Sequence, residues 1–482
     1  MKSISNLFWN SMNGIVLAIL SFIFTPVYSS LVGIENYGLI NVWMISLVVA
    51  SVFDFGINLT INNIISNNNI EKSEKNKGFV YLEKQITFRI LIFFSISGFL
   101  LSLLYFINFI SYDYFVISIL IALSAYMQLA FQFYANVYLG LQLHKKINFI
   151  NIIINSSKYI IGFTLLYFFN NLLYFFIFQA TLSLFQFFFL RSLARNHLGI
   201  SKNYTLIKHD YSPNDELKRY TKNLTILSFA SIILGHLDRI WALILDNLEF
   251  YGYYAIAFTG ASCLQLIIQP FYKTYFSKYS SYGKSNYDDL LLLFHSSSII
   301  CNGVLTIISV NLFIYSEFLL RLWLGDLFID NILLNFLLIV TGLTLSGYFW
   351  LPAAFMQSQK KPEFHNKMII YSILFSFLVL IIGKFFNLFD SPASVWIVHG
   401  LILFVFESIH LHNKYHGFKL IYWLLNGIFI PFTIALVISY SISLIEFNST
   451  ILNIAQIVMS IIIPVISFLY LSNKNSNLKN AF

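Results

Sequence analysis

The chain has 482 residues, of which 58% are hydrophobic and 10% are charged, and its mean hydropathy is +0.74. This composition excludes an ordinary soluble globular protein, because such a protein has no means of burying so much apolar surface away from water. The formal net charge of +8 would favour nucleic acid as a partner of a soluble chain, but here the positions of the charges decide their meaning. Cys263 and Cys301 lie in apolar segments without the spacing of a metal site, so we expect neither a disulfide nor a bound metal.

Apolar segments long enough to cross a bilayer recur along the whole chain. A membrane-spanning helix needs roughly 20 apolar residues, and by this criterion we predict about fourteen spans. They lie near residues 8–30, 38–61, 88–110, 114–139, 148–169, 171–190, 224–246, 251–272, 289–315, 331–356, 367–388, 393–411, 419–443 and 450–471. The first segment is too long for a signal peptide and is followed by no small-residue cleavage motif. The predicted fold class is an all-α integral membrane protein.

The basic residues predict the orientation of these spans. If the N-terminus is cytoplasmic, about 25 of the 29 Lys and Arg residues fall in cytoplasmic segments. Arg321 and Lys384 then lie outside, and Lys158 and Arg239 lie within spans. We therefore predict that both termini are cytoplasmic, and we interpret the net charge as a signal of orientation instead of nucleic-acid binding.

Two short motifs occur twice in the same order, which indicates an internal duplication. Glu-x-Tyr-Gly occurs at 35–38 and 249–252, and Gln-x-x-Lys-Lys-x-x-Phe occurs at 142–149 and 357–364. Because six spans separate the copies, the two halves should have the same orientation and be related by a parallel pseudo-two-fold axis. We predict a six-helix lobe over 1–190, a cytoplasmic connection over 191–223, a second six-helix lobe over 224–412, and two further helices with a cytoplasmic tail over 413–482.

Ionisable residues within the predicted spans are the candidate functional residues. Each costs roughly 2.5–3.5 kcal/mol to insert at the centre of a bilayer, so its presence calls for a reason. Lys158 and Arg239 are cations suited to an anionic phosphate group. The side chains suited to bind and release a coupling proton or sodium ion are Asp54, His236, Asp238 and Glu407.

Four of these residues also have a structural interpretation. Asp54 is equally well explained by a buried interhelical hydrogen bond. Asp238 and Arg239 would form a local charge pair, although adjacent residues point about 100° apart on a helix and do not face one partner closely. For Glu407 we favour slightly the interpretation that its carboxylate reaches the inner headgroups.

Two further features have weaker functional interpretations. Pro26 removes a backbone hydrogen bond within the first span, which makes this position a candidate bend for gating. The pattern His410-x-His412-x-x-x-His416 resembles a metal site, but it lies at the inner membrane edge with no matching carboxylate, so we interpret it as interfacial.

With these residues located, the chain resembles the polysaccharide transporters of the multidrug/oligosaccharidyl-lipid/polysaccharide (MOP) superfamily, specifically the O-antigen flippase (Wzx) type. The segments that carry the resemblance are 31–38, 53–56, 139–146, 237–239 and 249–254. The resemblance implies two six-helix lobes around a central cavity, alternating access and an undecaprenyl-pyrophosphate-linked oligosaccharide as substrate. It also implies the bacterial cytoplasmic (inner) membrane as the location.

The leading hypothesis is a flippase that moves an O-antigen, capsule or exopolysaccharide repeat unit to the outer leaflet, with membrane lipids, a coupling H+ or Na+ and other polysaccharide-assembly proteins as partners. No cofactor is expected, and no bond is made or broken. The first alternative is a MATE-type drug/cation antiporter of the same superfamily. The second is an integral-membrane enzyme that acts on lipid-linked glycans; the short external loops, the largest near 316–330, count against it.

Overall fold

The computed structural model describes residues 2–66, 71–200, 229–230, 232–244, 247–281, 287–326, 329–359, 363–386, 391–415, 418–445 and 449–474. These ranges are mostly helical and contain no strand. It divides into two compact units, Met1–Ile233 and Leu234–Phe482. The all-α architecture predicted from hydropathy is therefore confirmed.

The described residues contain eleven helices that are long and apolar enough to cross a membrane. The count rises to twelve if Leu248–Ala261 and Cys263–Phe276, which meet at 42°, form one bent span. These twelve correspond to twelve of the fourteen predicted segments. The segment predicted over 38–61 is instead broken into shorter pieces, and the segment predicted over 224–246 lies partly outside the described residues.

Unit 1 is built from seven α-helices. They are α1 (Lys2–Val32), α2 (Ile34–Val49), α3 (Ile57–Ser66), α4 (Lys72–Phe106), α5 (Tyr112–Gly140), α6 (His144–Phe169) and α7 (Leu172–Leu198). The central helix α5 packs against α2, α3, α4, α6 and α7, and α1 packs on α6. Since α7 continues to Leu198, the predicted cytoplasmic connection starts as helix, and its remainder from 201 to 223 lies outside the described residues.

The break between α2 and α3 has a local cause. A 3-10 turn, Ala50–Asp54, is followed by two residues with positive φ, Phe55 at 45° and Gly56 at 74°. A left-handed residue cannot continue a right-handed helix, so the chain changes direction there. The Asp54 carboxylate accepts a hydrogen bond from the Gly56 amide at 2.7 Å, and Arg89 on α4 donates to the Asp54 carbonyl at 2.7 Å.

Unit 2 begins within α8 (232–244). It continues through α9 (Leu248–Ala261), α10 (Cys263–Ser281), α11 (Tyr287–Ile314), α12 (Ser316–Leu324), α13 (Ile329–Gly347), α14 (Trp350–Ser358), α15 (Glu363–Phe386), α16 (Ser394–Ile402), α17 (Ser408–Lys414), α18 (Leu420–Leu424), α19 (Ile430–Ser443) and α20 (Thr450–Lys474). A π-helical turn, Leu403–Glu407, joins α16 to α17 without a break, and α13 packs closely on both α9 and α16.

The two spans that follow the predicted duplication, Leu420–Ser443 (α18 and α19) and α20, pack against α11. Polar groups fix this contact: Trp423 Nε1 donates to Ser298 Oγ at 2.7 Å, and Ser460 Oγ donates to Asn311 Oδ1 at 2.7 Å. Hydrogen bonds between helices orient their packing in lipid, where no hydrophobic difference separates one apolar helix from its surroundings.

The two copies of Glu-x-Tyr-Gly occupy the same local position in their units. Glu35 lies in the first turn of α2 and Glu249 in the first turn of α9, where a carboxylate is favoured by the helix dipole. The tyrosine and glycine of each copy are buried. The lobe boundaries and the pseudo-two-fold relation of the two halves stay predictions.

Candidate functional site

Lys158 is a buried cation in the middle of α6. Its ammonium group has one hydrogen bond, to Gln128 Oε1 on α5 at 3.4 Å, and no carboxylate pairs with it among the described residues. Gln179 on α7 donates to the Lys158 carbonyl at 3.0 Å, which fixes the backbone beside the charge. A buried ammonium with one long neutral contact has unused donors, and these suit a phosphate oxygen.

Glu83 is a buried carboxylate that the sequence analysis missed, because it precedes the apolar segment assigned to that span. The Arg195 Nη2 atom lies 2.6 Å from its Oε2, and Arg191 Nε lies 3.1 Å from its Oε1. Tyr134 on α5 donates to the same carboxylate at 2.9 Å. The i, i+4 spacing of the two arginines was the available signal, since it places both on one face of α7.

Asp238 is fully buried on α8 and is bound by neutral donors instead of by its neighbour Arg239. Its Oδ2 accepts from Tyr254 of α9 at 2.6 Å and from Trp396 of α16 at 2.8 Å. Its Oδ1 has no hydrogen-bond partner in the described part of the chain. Asp238 thus joins three helices of unit 2 and retains one oxygen able to bind a cation or a proton.

Arg239 points to a different set of groups, as the 100° separation of adjacent residues predicted. Its Nη2 atom donates to the Gly235 carbonyl at 3.2 Å and lies 2.7 Å from His236 Nδ1. Its guanidinium carbon is 4.2 Å from the centre of the Phe258 ring. No carboxylate forms an ion pair with Arg239 among the residues described, and its Nε has no hydrogen-bond partner there.

His236 accepts the Arg239 hydrogen bond through Nδ1, so the proton of its neutral imidazole lies on Nε2. Protonation at Nδ1 would break this bond and leave two cations in contact. The protonation state of His236 therefore depends on whether Arg239 keeps its hydrogen bond to Nδ1.

The favoured interpretation of Glu407, that it reaches the inner headgroups, is wrong. The Glu407 side chain is 0% exposed, and its Oε1 lies 2.5 Å from Nδ1 of His365 on α15. The π-helical turn that ends at Glu407 directs the side chain into the protein. No pattern in the sequence indicates this pair, because its members are 42 positions apart.

Asp54 is placed at the α2–α3 break, where its carboxylate closes the turn through the Gly56 amide. This is a local hydrogen bond, not the interhelical one that the sequence analysis weighed. Pro26 lies inside α1, which continues as one helix from Lys2 to Val32. Its role as a gating bend stays a prediction.

The described residues contain no group of three or more His, Cys, Asp or Glu side chains able to hold a metal ion. His410 stacks on Phe364 with ring centres 3.7 Å apart, and His416 lies outside the described residues.

On the predicted outer side, Arg321 of α12 pairs with Glu317 at 2.7 Å and with Asp326. These hydrogen bonds, to Glu317 first and Asp326 second, raise the pKa of the exposed Arg321 guanidinium.

Comparisons with known proteins agree on the class of fold. The family model described as polysaccharide biosynthesis protein matches residues 3–276. The lipid II flippase MurJ in an inward closed conformation matches with a TM-score of 0.70 at 14% identity, over 98% of this chain and 99% of that chain. An inward-facing multidrug resistance MATE family transporter of the MOP superfamily matches with a TM-score of 0.57 at 12% identity, over 85% of this chain and 96% of that chain. A sequence comparison with curated proteins finds no match.

Proposed function

Because the chain belongs to the polysaccharide biosynthesis protein family, we propose that it is a flippase for an undecaprenyl-pyrophosphate-linked oligosaccharide. In this proposal an O-antigen, capsule or exopolysaccharide repeat unit moves from the inner to the outer leaflet of the bacterial cytoplasmic membrane. Transport proceeds by alternating access and is coupled to an ion. The similarity to a lipid II flippase over 98% of the chain supports a lipid-linked substrate.

One observation carries the proposal: each unit holds a cation within apolar helices that forms no salt bridge with a described carboxylate. In unit 1 this is Lys158, and in unit 2 it is Arg239. By contrast, Arg191 and Arg195 have a structural role, because both form salt bridges with the Glu83 carboxylate. A cation without a salt bridge at membrane depth is costly, and an anionic substrate would supply a direct partner. We assign Lys158 and Arg239 to the pyrophosphate.

The acidic groups have the complementary role in this proposal. Asp238 and Glu407 each retain one carboxylate oxygen without a partner among the described residues. A carboxylate in this state gains more from a bound proton or cation than one whose oxygens are already satisfied. Asp54 and His236 are the weaker candidates, because the Asp54 side chain closes a turn and His236 is bonded to Arg239.

The test is the sidedness of the lipid-linked oligosaccharide in cells that lack their own flippase. Expression of the chain should bring the glycan to the outer face, and Arg239→Gln should slow its appearance about tenfold or more, since a charge-assisted contact is worth about 1.5–3 kcal/mol. Lys158→Gln should act in the same direction. The matched controls are Arg321→Gln and Lys72→Gln, whose side chains are exposed.

Full flipping by Arg239→Gln would remove that residue from the mechanism. The MATE-type antiporter is the second candidate, because its fold also matches. If the glycan stays inside while the chain restores dye efflux to cells without drug pumps, the antiporter replaces the flippase.

A further inference from the structure

The Glu407 carboxylate is an unusual feature of unit 2. Its side chain is 0% exposed, one oxygen contacts His365 Nδ1 at 2.5 Å, and the other has no hydrogen-bond partner among the described residues. Leaving a buried polar atom unsatisfied costs about 1–3 kcal/mol, and more when it is charged. Burying the Glu407 carboxylate beside the imidazole therefore lowers the stability of the folded protein.

The backbone at this point is also unusual. The π-helical turn Leu403–Glu407 interrupts an otherwise continuous α-helix. Ser408 donates through its hydroxyl to the Phe404 carbonyl and, at 3.2 Å, to the Val405 carbonyl, which satisfies acceptors in the widened turn. Single π-helical turns of this kind occur often at functional sites. Here the turn ends on Glu407, the residue that contacts His365.

Charged and titratable groups surround the pair on its own helices and on the helices packed against them. Helix α8 packs on α15 and α16 and carries His236, Asp238 and Arg239. Exposed charges lie beside it on its own helices: Glu363 and Lys367 on α15, and His412 and Lys414 on α17. Two more imidazoles are nearby, His399 bonded to Ser372 at 3.1 Å and His410 stacked on Phe364. The neighbouring helix α13 carries one ionisable residue, Asp330, at its far start. No described carboxylate or basic group other than His365 bonds to Glu407.

We propose that His365 and Glu407 form a proton-exchange site within unit 2, and that the ion coupled to transport at this site is H+. This inference rests on the proposed flippase function. His365 keeps its Nδ1–H bonded to Glu407 Oε1, and the exchanged proton binds to and leaves Nε2. The pair is therefore neutral overall when loaded, as imidazolium and carboxylate, and carries one negative charge when empty.

Two observations support a proton over a metal cation. Hard cations take several oxygen ligands, whereas Glu407 offers one free oxygen and its first neighbour is a nitrogen. The imidazole is 14% exposed and the carboxylate is 0% exposed, so His365 is the point of exchange with the surroundings. The first turn of α15 carries the positive end of a helix dipole, which assists release of the proton from the imidazolium.

The first experiment measures proton binding without any transport. The purified full chain in lipid nanodiscs is brought from pH 5 to pH 8, and released protons are counted with a pH dye. Glu407→Gln removes the negative charge that stabilises the imidazolium of His365, so this variant should release about one proton fewer per chain than the wild type. His365→Asn should show the same deficit. The double variant His410→Gln with Glu407→Gln should release about one proton fewer than His410→Gln alone, which separates the two sites.

The second experiment measures flipping in proteoliposomes under a pH gradient or a sodium gradient. A pH gradient should accelerate wild-type flipping, and Glu407→Gln should lose roughly tenfold or more of that acceleration. His410→Gln should keep the full response. An undiminished response in Glu407→Gln, acceleration by sodium alone, or no deficit in proton release would each overturn the proton site. If the deficit is present but the wild type flips nothing, the proton site stands and the proposed substrate is wrong.

Discussion

Glu83 is held by two arginines that lie one helical turn apart on α7, so its charge is compensated twice. Arg195 is nearly buried with a side-chain exposure of 13%, whereas Arg191 is 40% exposed. The Tyr134 hydroxyl completes the set of donors. This cluster connects α4, α5 and α7, and its carboxylate and guanidinium groups pair with one another. It therefore contrasts with Lys158 in the same unit, whose ammonium group has a single neutral contact.

Removing the charge of Glu83 should destabilise unit 1. Breaking a buried ion pair from one side costs about 3–5 kcal/mol, because the partner charge stays buried. For Glu83→Gln we expect about 2–3 kcal/mol, since the exposed Arg191 is solvated after the change. The expected result is a lower melting temperature in detergent, measured by size-exclusion chromatography after heating.

The exposed pair formed by Glu317 and Arg321 is the matched control for this change. Both side chains are largely in solvent, so Glu317→Gln should cost no more than about 1 kcal/mol. If the melting temperatures of both variants equal that of the wild type, the Glu83 cluster does not hold the three helices together.

At the scale of elements, two glycines let α13 and α16 approach closely. A Cβ atom on Gly342 would lie 2.4 Å from the backbone carbonyl carbon of Trp396, and one on Gly400 would lie 2.5 Å from Leu345 Cβ. Small residues at such contacts are the usual means of bringing helices together in lipid. The contact also matters for the candidate site, because Trp396 is the residue whose indole binds Asp238.

Replacing Gly342 with alanine should therefore affect both packing and the Asp238 site. The added methyl group meets backbone atoms, which cannot rotate away, so α16 has to shift. We expect a loss of about 1–3 kcal/mol and a change in the fluorescence of Trp396 as its bond to Asp238 lengthens. The measurements are melting temperature and emission of a variant that keeps Trp396 as its single tryptophan.

Gly98 on α4 is the control for this substitution, because a Cβ there would contact nothing within 4 Å. Alanine at Gly98 should be neutral or slightly stabilising, since alanine is the better helix former. A melting temperature of Gly342→Ala equal to that of Gly98→Ala would contradict the close approach of α13 and α16.

For the whole molecule, hydropathy predicted the architecture because the thickness of the bilayer sets the length of each apolar segment in the sequence. It did not predict the break at 53–56, since the surrounding segment keeps the hydropathy of a span despite Asp54 and the cause is positive φ at Phe55 and Gly56. The charges inside the spans were found as single residues. Their partners, such as His365 for Glu407 or Trp396 for Asp238, come from distant helices that only the folded chain brings together.

Orientation in the membrane is the remaining property of the whole molecule, and it rests on the distribution of Lys and Arg. Helix α5 offers a direct test, because it is one uninterrupted helix of 29 residues with exposed positions beyond both ends of its apolar stretch. Asp113 lies in its first turn, and Lys145 follows its last turn after a short loop. A helix of this length rises about 1.5 Å per residue, enough to place the two positions on opposite sides of a bilayer.

We expect Asp113→Cys to react from outside intact cells with a membrane-impermeant thiol reagent, and Lys145→Cys to react only after the membrane is opened. Both changes are made in a chain in which Cys263 and Cys301 are replaced by serine, so that each variant carries one thiol. The positive-inside distribution predicts this order because basic loops are retained on the cytoplasmic side. The reverse order would place the termini outside and turn the direction of the proposed transport around. Labelling of both positions from outside would mean that α5 does not cross the membrane, and the assignment of spans in unit 1 would then be wrong.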